Sequence, residues 1–252
     1  LSGSDPQINH VTISYNAAII RGGGMYLHES NPTITHASIL HNTTNIGEGG
    51  GIFLYESNPT LTYVNISRNT IYNDGAGMYL HESNPILTNL TISHNIGDEG
   101  QGMLLFRSNP ILTNSIIWHN IHCHNDWCHE SIYLVGDENE PIITFNNIEE
   151  GWQGVGNIDS DPLFRDSEND NYTLIANSPC IDVGTADLDG DGVDDITNYS
   201  GSAPDMGAFE HIQSQVGDLN NDGTLDIIDI IAIIAMILDN ESYDSLADIN
   251  ED

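Results

Sequence analysis

Residues 23–32 read Gly23-Gly24-Met25-Tyr26-Leu27-His28-Glu29-Ser30-Asn31-Pro32, and the phrase returns three times further along. The copies are Gly50-Gly51-Ile52-Phe53-Leu54 leading to Pro59, Ala76-Gly77-Met78-Tyr79-Leu80 leading to Pro85, and Gln101-Gly102-Met103-Leu104-Leu105 leading to Pro110. Counting Pro6 of Ser4-Asp5-Pro6, the prolines stand 26, 27, 26 and 25 residues apart. A fifth strand phrase, Ser131-Ile132-Tyr133-Leu134, leads to Pro141. Ten residues after each of the first five prolines comes an asparagine: Asn16, Asn42, Asn69, Asn95 and Asn120. A period in the twenties with glycine-bounded strands is the mark of a stacked repeat. No sustained helical period appears before residue 226.

Alternation within the repeat assigns faces. Met25, Ile52, Met78, Met103 and Ile132 share one register, and Leu27, Leu54, Leu80, Leu105 and Leu134 share the register two positions on, so both rows point inward. After each proline come the rows Ile8/Ile34/Leu61/Leu87/Leu112 and Ile13/Ile39/Ile66/Ile92/Ile117. Coils stacked about 4.8 Å apart place like residues over like, and each coil buries its inner face against its neighbours. The Asn column then forms an amide ladder through a buried turn. The proline, lacking an N–H, marks the turn before the next strand. The fold class is all-β, a right-handed parallel β-helix, with handedness taken from the habit of that fold class.

Composition agrees with a slim solenoid. The chain has 252 residues, of which 38 are acidic and 4 basic, and its formal net charge is -34. The four basic residues are Arg21, Arg68, Arg107 and Arg165, and there is no lysine. Such a charge repels phosphate backbones and anionic lipid, which excludes nucleic-acid and membrane-surface binding and points to cations, above all Ca²⁺. Hydrophobic residues make up 38%, enough only for a narrow core. The longest apolar stretch, Ile227 to Leu238, is interrupted by Asp229 and too short to span a bilayer. The chain opens at Leu1 inside a repeat, so it reads as a fragment or mature product, and a missing leader carries no weight.

Beyond residue 150 the wording changes to Asn157-Ile158-Asp159-Ser160-Asp161-Pro162, Ser178-Pro179-Cys180-Ile181-Asp182-Val183-Gly184 and Asp205-Met206-Gly207-Ala208-Phe209-Glu210. This series resembles the C-terminal signature of the choice-of-anchor Q class of bacterial surface β-helix proteins. The Gly-Gly-Met-Tyr repeats are similar to those of polymorphic outer-membrane-protein-like β-helices. The resemblance implies an exported, extracellular or cell-surface solenoid over residues 1–211, closed by 151–211, and no single activity. A linker at 212–217 then leads to a separate module at 218–252.

That module opens with Asp218, Asn220, Asp222, Gly223, Thr224, Asp226 and Asp229, which place oxygen ligands at positions 1, 3, 5, 9 and 12 of an EF-hand-type loop. Glycine holds position 6, and Thr224 offers its carbonyl at position 7. Asp at position 12 resembles a type I dockerin loop, and Asp248, Asn250 and Asp252 begin a second copy. The resemblance implies Ca²⁺ binding and a cohesin-like partner. The residues at positions 10 and 11 are Ile227 and Ile228, where cellulosomal dockerins often carry a hydroxyl pair, so another surface scaffold or intramolecular packing stands beside it. A second acidic loop repeats the spacing with Asp187, Asp189, Asp191, Val193 (through its carbonyl) and Asp195. With Asp194 its five carboxylates repel one another unless a cation is present.

Three further features bear on function. Cys123 and Cys128 sit in an inserted loop, where a disulfide is favoured over zinc ligation, leaving Cys180 as a buried thiol. Tyr26, Phe53, Tyr79 and Tyr133, with the parallel row His28, Tyr55 and His81, form an outward aromatic stripe that serves either as a stacking ladder or as a contact for polysaccharide or cell-surface glycan. The column Tyr15/His41/Arg68/His94/His119 reads as an exposed ladder. Lyases of this fold use an Arg or Lys base and hydrolases an Asp cluster on adjacent coils, and residues 6–150 hold no stacked Asp pair. The expectation is a structural, adhesive or carbohydrate-contacting module. The alternatives are a polysaccharide lyase or glycoside hydrolase whose catalytic coils lie elsewhere, and ice binding through Thr33/Thr35 and Thr60/Thr62.

Overall fold

The computed structural model describes residues 1–120, 123–124, 127–128, 131–212, 217, 219 and 227–239, the side chains of 123–124, 127–128 and 235–239 excepted. Two compact units divide at Glu210/His211. The larger unit is built on parallel sheets, as the repeat predicts. The first sheet stacks Met25–His28, Ile52–Tyr55, Met78–His81, Met103–Phe106 and Ile132–Val135. Its pairing puts Met78 beside Ile52 and Met103, and Leu80 beside Leu54 and Leu105. The second sheet carries Thr33–Leu40, Thr60–Ser67 and Ile86–Ser93, flanked by shorter strands. The third is a narrow sheet of Ala17–Ala18, Thr43–Thr44 and Thr70–Ile71.

Inside run the predicted rows, with Leu27, Leu54, Leu80 and Leu105 fully buried beside Ile39, Ile66, Ile92 and Ile117. Leu134 departs from this expectation: it closes the row on the last strand of the first sheet and is 36% exposed. A further inward row, Val11/Ala37/Val64/Leu90, breaks the simple alternation. It follows a corner residue in left-handed conformation: His10, His36, Tyr63 and Asn89 have φ of 51°, 49°, 55° and 52°. One residue at positive φ shifts the pleat by one, so Ile34, Ala37 and Ile39 all face the core. Two other corners repeat the device at Glu29/Glu56/Glu82/Arg107 and at Tyr15/His41/Arg68/His94/His119. Such conformations are unfavourable for bulky residues. They persist here because each corner N–H still reaches the next coil, as from Glu56 to the His81 carbonyl at 3.0 Å.

Polar ladders fix the turns. Asn16, Asn42, Asn69, Asn95 and Asn120 pass Nδ2-to-Oδ1 hydrogen bonds of 3.0–3.1 Å from coil to coil. Each Oδ1 also accepts the preceding asparagine's backbone N–H. The Ser-Asn-Pro turn holds two ladders of opposite sense. Ser30 N–H donates forward to Ser57 Oγ at 3.0 Å, whereas Asn58 N–H donates back to Asn31 Oδ1 at 2.7 Å. The proline carbonyl receives the N–H of the next strand's first residue, as Pro32 does from Thr60 at 3.1 Å.

Beyond Ile158, which still pairs in parallel with Asn147, the chain up to residue 210 does not continue the stack. It folds back along the flank of the second sheet as a strap. Its antiparallel hairpin, Phe164–Asp166 with Asn171–Leu174, lies over the Arg68/His94 corners. Arg68 Nε meets Asp170 Oδ1 at 3.0 Å and His41 Nε2 meets Asp170 Oδ2 at 2.9 Å. The middle of that column is therefore covered, not exposed as the sequence implied. Leu174, Cys180 and Met206 pack on Ile116 and Trp118 in a second small core. Gly207, at φ 101°, lets the strap close on the sheet, since a Cβ there would stand 2.8 Å from Ile116 Cδ1. The segment thus closes the solenoid by buttressing its side.

Candidate metal loop and the adjoining groove

The strap's acidic loop places three of its carboxylates together. One oxygen from each of Asp187, Asp189 and Asp195 lies within 4.8 Å of the others. Backbone donors turn them inward. Asp187 Oδ1 accepts from Gly190 N–H at 2.7 Å and its Oδ2 from Gly192 N–H at 2.9 Å, while Asp195 Oδ2 accepts from Leu188 N–H at 2.9 Å. Gly190 and Gly192 take φ of 80° and 88°, the tight curl such a loop needs. Asp191 instead accepts the Val193 N–H at 2.8 Å and stands outside the trio. An all-oxygen set of hard, ionised ligands suits a hard divalent cation.

The same loop borders a groove of about 700 Å³ between the strap and the second sheet. Thr60 and Thr62 supply hydroxyls to its floor beside Ile86 and the nearly buried Thr88, with His36 and Tyr63 at the corner. Asp195, Asn198, Phe209 and Glu210 form the facing wall. His36 stacks on Tyr63 with ring centroids 5.0 Å apart. Among the described residues Phe209 stacks on no other ring. Burial beside Asp205 pushes the Glu210 carboxyl up to about 7, so much of it is protonated near neutrality. Its oxygens accept the Ser200 and Asp205 N–H groups at 3.1 and 3.3 Å. Thr88 and Thr113 are only 5% and 4% exposed, which ends the Thr face after two ranks.

The other predicted residues fall elsewhere. Asp218, Asn220, Asp222, Thr224 and Asp226 lie outside the described residues. Asp229, at 2% exposure, accepts the Leu219 N–H through Oδ1 at 2.9 Å at the start of the helix Ile227–Asp239. Cys123 and Cys128 stand directly opposite on a two-stranded antiparallel ribbon. The aromatic stripe divides in two. His28, Tyr55, His81 and Phe106 stack face to face at 4.6–5.3 Å, spending their ring faces on one another. Phe53, by contrast, is 1% exposed under Arg21, whose guanidinium sits 5.1 Å from the ring centre and is held by Glu48 at 3.0 Å. Gly49, at φ 72°, brings the covering loop close, since a Cβ there would meet Phe53 Cβ at 2.7 Å. Phe53 therefore offers no surface to a sugar, while Tyr26, Tyr79 and Tyr133 are half-buried.

Sequence reasoning found the acidic loop but missed the groove, whose floor and wall are more than 100 residues apart at Thr62 and Phe209. The one written sign was Asp205–Glu210, noted only as a family signature. Among the described residues no helix is long and apolar enough to cross a membrane. No curated protein matches the chain in sequence. Among solved structures it is similar to the crystal structure of pectate lyase Pel9A, at 14% identity and a TM-score of 0.36, over 82% of this chain and 66% of that one. The chain thus spans just under two thirds of that structure's length. The family model described as the right handed beta helix region matches residues 1–96 and 49–185. With most of its length so matched, the chain belongs to the right-handed β-helix family.

Proposed function

We propose that this protein is an exported surface module that contacts carbohydrate and does no chemistry on it, its strap loop held in shape by Ca²⁺. The observation that carries the reading is the convergence of Asp187, Asp189 and Asp195 beside a ring-bearing groove that mixes hydroxyl and apolar side chains. Calcium is the cation of choice because the ligand set is all oxygen and a secreted setting supplies the ion at high concentration. Attachment falls to the 218–252 module, read as a dockerin-like Ca²⁺ loop. Its support is the ligand spacing, and its partner is a cohesin-like or other surface scaffold. The choice-of-anchor Q kinship stands on the 157–210 motifs. A Cys123–Cys128 disulfide fits the facing positions on their ribbon, and a mass 2 Da below the reduced form in about every molecule is its signature.

The test pairs a glycan array with reducing-end and unsaturated-product assays, each run in Ca²⁺ and in EDTA. Binding without turnover, lost in EDTA, is the expected result. Release of product rejects the scaffold reading. One observation favours that runner-up, a glycoside hydrolase: Glu210 is a carboxyl on a groove wall that burial pushes up to about 7. Turnover abolished by Glu210→Gln would establish it.

A further inference from the structure

The groove's chemistry narrows the class of polymer it accepts. Its floor hydroxyls, Thr60 and Thr62, come from one strand, and on the next coil the same positions hold the exposed Ile86 and the nearly buried Thr88. Equivalent floor positions therefore recur about every 4.7–4.9 Å along the solenoid axis, close to the length of one sugar residue in an extended chain. Opposite them Phe209 is half-buried with no ring stacked on it, leaving its ring for the apolar face of a pyranose. Asn198 supplies both an amide donor and an acceptor. Among the described residues no Arg lines the groove, the chain has no Lys, and two of the wall residues, Asp195 and Glu210, are acidic. A bound divalent cation at the rim would offset only two charges of a chain carrying -34. A chain of uronates would thus find no cationic side chain to pair with its carboxylates in a partly desolvated cleft.

We infer that this groove, between the Thr60/Thr62 strand and the Asn198 and Phe209 wall, binds a neutral, hydroxyl-rich glycan chain along the solenoid axis and rejects polyuronates. The inference rests on the carbohydrate-contacting reading above and adds the site and the ligand class. The experiment is calorimetric titration of the full chain, in Ca²⁺, with cellohexaose, xylohexaose, mannohexaose and hexagalacturonate. At least one neutral hexamer binds, and hexagalacturonate gives no heat. Phe209→Ala weakens the neutral ligand at least tenfold. The pair Thr60→Val and Thr62→Val, which keeps strand shape and volume, weakens it at least fivefold with an unchanged melting temperature. Hexagalacturonate binding as tightly as the neutral hexamers overturns the inference. So does neutral binding unaffected by both sets of substitutions, which would leave carbohydrate contact standing but move it off this groove. Silence with all four hexamers also overturns it, and the glycan array then decides the broader reading separately.

Discussion

The coil stack and the strap are held by different kinds of contact. Along the Asn16–Asn120 ladder every bond joins residues 25 to 27 apart and is repeated by the next coil, as from Asn42 to Asn69 and Asn69 to Asn95. In the strap each contact is made once and over a long separation. Asn89 Nδ2 donates to the Asp205 carbonyl, 116 residues on, and the Ala208 N–H to Thr91 Oγ1, 117 residues back. Repetition makes the stack cooperative with its neighbours. The strap has no such neighbour, so its stability depends on a few anchors and on the cation its loop would hold. Stiff scaffold and adjustable wall meet along the groove.

The comparison breaks most decisively at the Asn ladder. Asn69→Ala strands the Asn42 backbone and side-chain donors and the Ile39 carbonyl, all buried. The expected loss is about 3 kcal/mol or more, read as a shift in the urea midpoint of the whole larger unit. A loss under 1 kcal/mol would mean that water or a neighbour replaces the ladder. Calcium should act next most strongly. At a free concentration 100 times its Kd it adds about 2.7 kcal/mol, and Asp187→Asn should erase the rise in Tm. Hydrogen exchange should place that protection in 186–198 and leave the first sheet unchanged.

Acidity probes the strap from two sides. Burial, with His119 nearby, lowers the His94 pKa to about 4. His94 is thus neutral in the folded protein, and its contribution is complete above the unfolded value near 6.5 and is lost as pH falls toward 4. Glu210 has the opposite sign. Its raised pKa gives a contribution complete below the unfolded value of 4.5 and lost as pH rises through about 7. Both side chains are about half open to water, so screening holds each effect to about 1 kcal/mol or less. His94→Gln should flatten the acid limb of the stability curve and Glu210→Gln the neutral limb. Limbs unchanged in these variants would refute the assignments. The smallest effect belongs to Arg68→Met, which removes the pairs to Asp170 and Glu168. About 0.5–1 kcal/mol is expected. Exchange should quicken in 164–174 alone, and quickening in the coils would show the strap and stack to be one cooperative unit.

The same contrast explains what could be read in advance. Met25, Ile52, Met78 and Met103 announce themselves because stacking puts equivalents in register, and the Asn column needs only a constant offset from proline. The Val11/Ala37/Val64/Leu90 row escaped because three of its four left-handed corner residues are His10, His36 and Tyr63, where φ above zero is usually written with Gly or Asn, as it is only at Asn89. Its trace was a spacing of three between Ile34 and Ala37 where alternation asks for two. Phe53 looked outward, correctly, but nothing in a linear pattern says that Arg21 and Gly49 will cover it. Asp187, Asp189 and Asp195 were legible because a loop's ligands are close in sequence. The groove was not, since Thr62 and Phe209 meet only when the strap folds back.

The opposed ladders of the Ser-Asn-Pro turn carry a consequence for how such a molecule changes size. Serine amides hand their protons toward one end of the axis and asparagine amides toward the other, so each interior seam is complete in itself. Excising or duplicating one intact block of 25–27 residues leaves every remaining seam chemically the same as before. A residue lost within the constant ten-residue step from proline to the ladder asparagine would move that asparagine out of its row, whereas the spread of 25 to 27 shows where length is free to vary. Length is therefore a property this architecture can alter in whole rungs at little cost, while the spelling of each rung is tightly constrained.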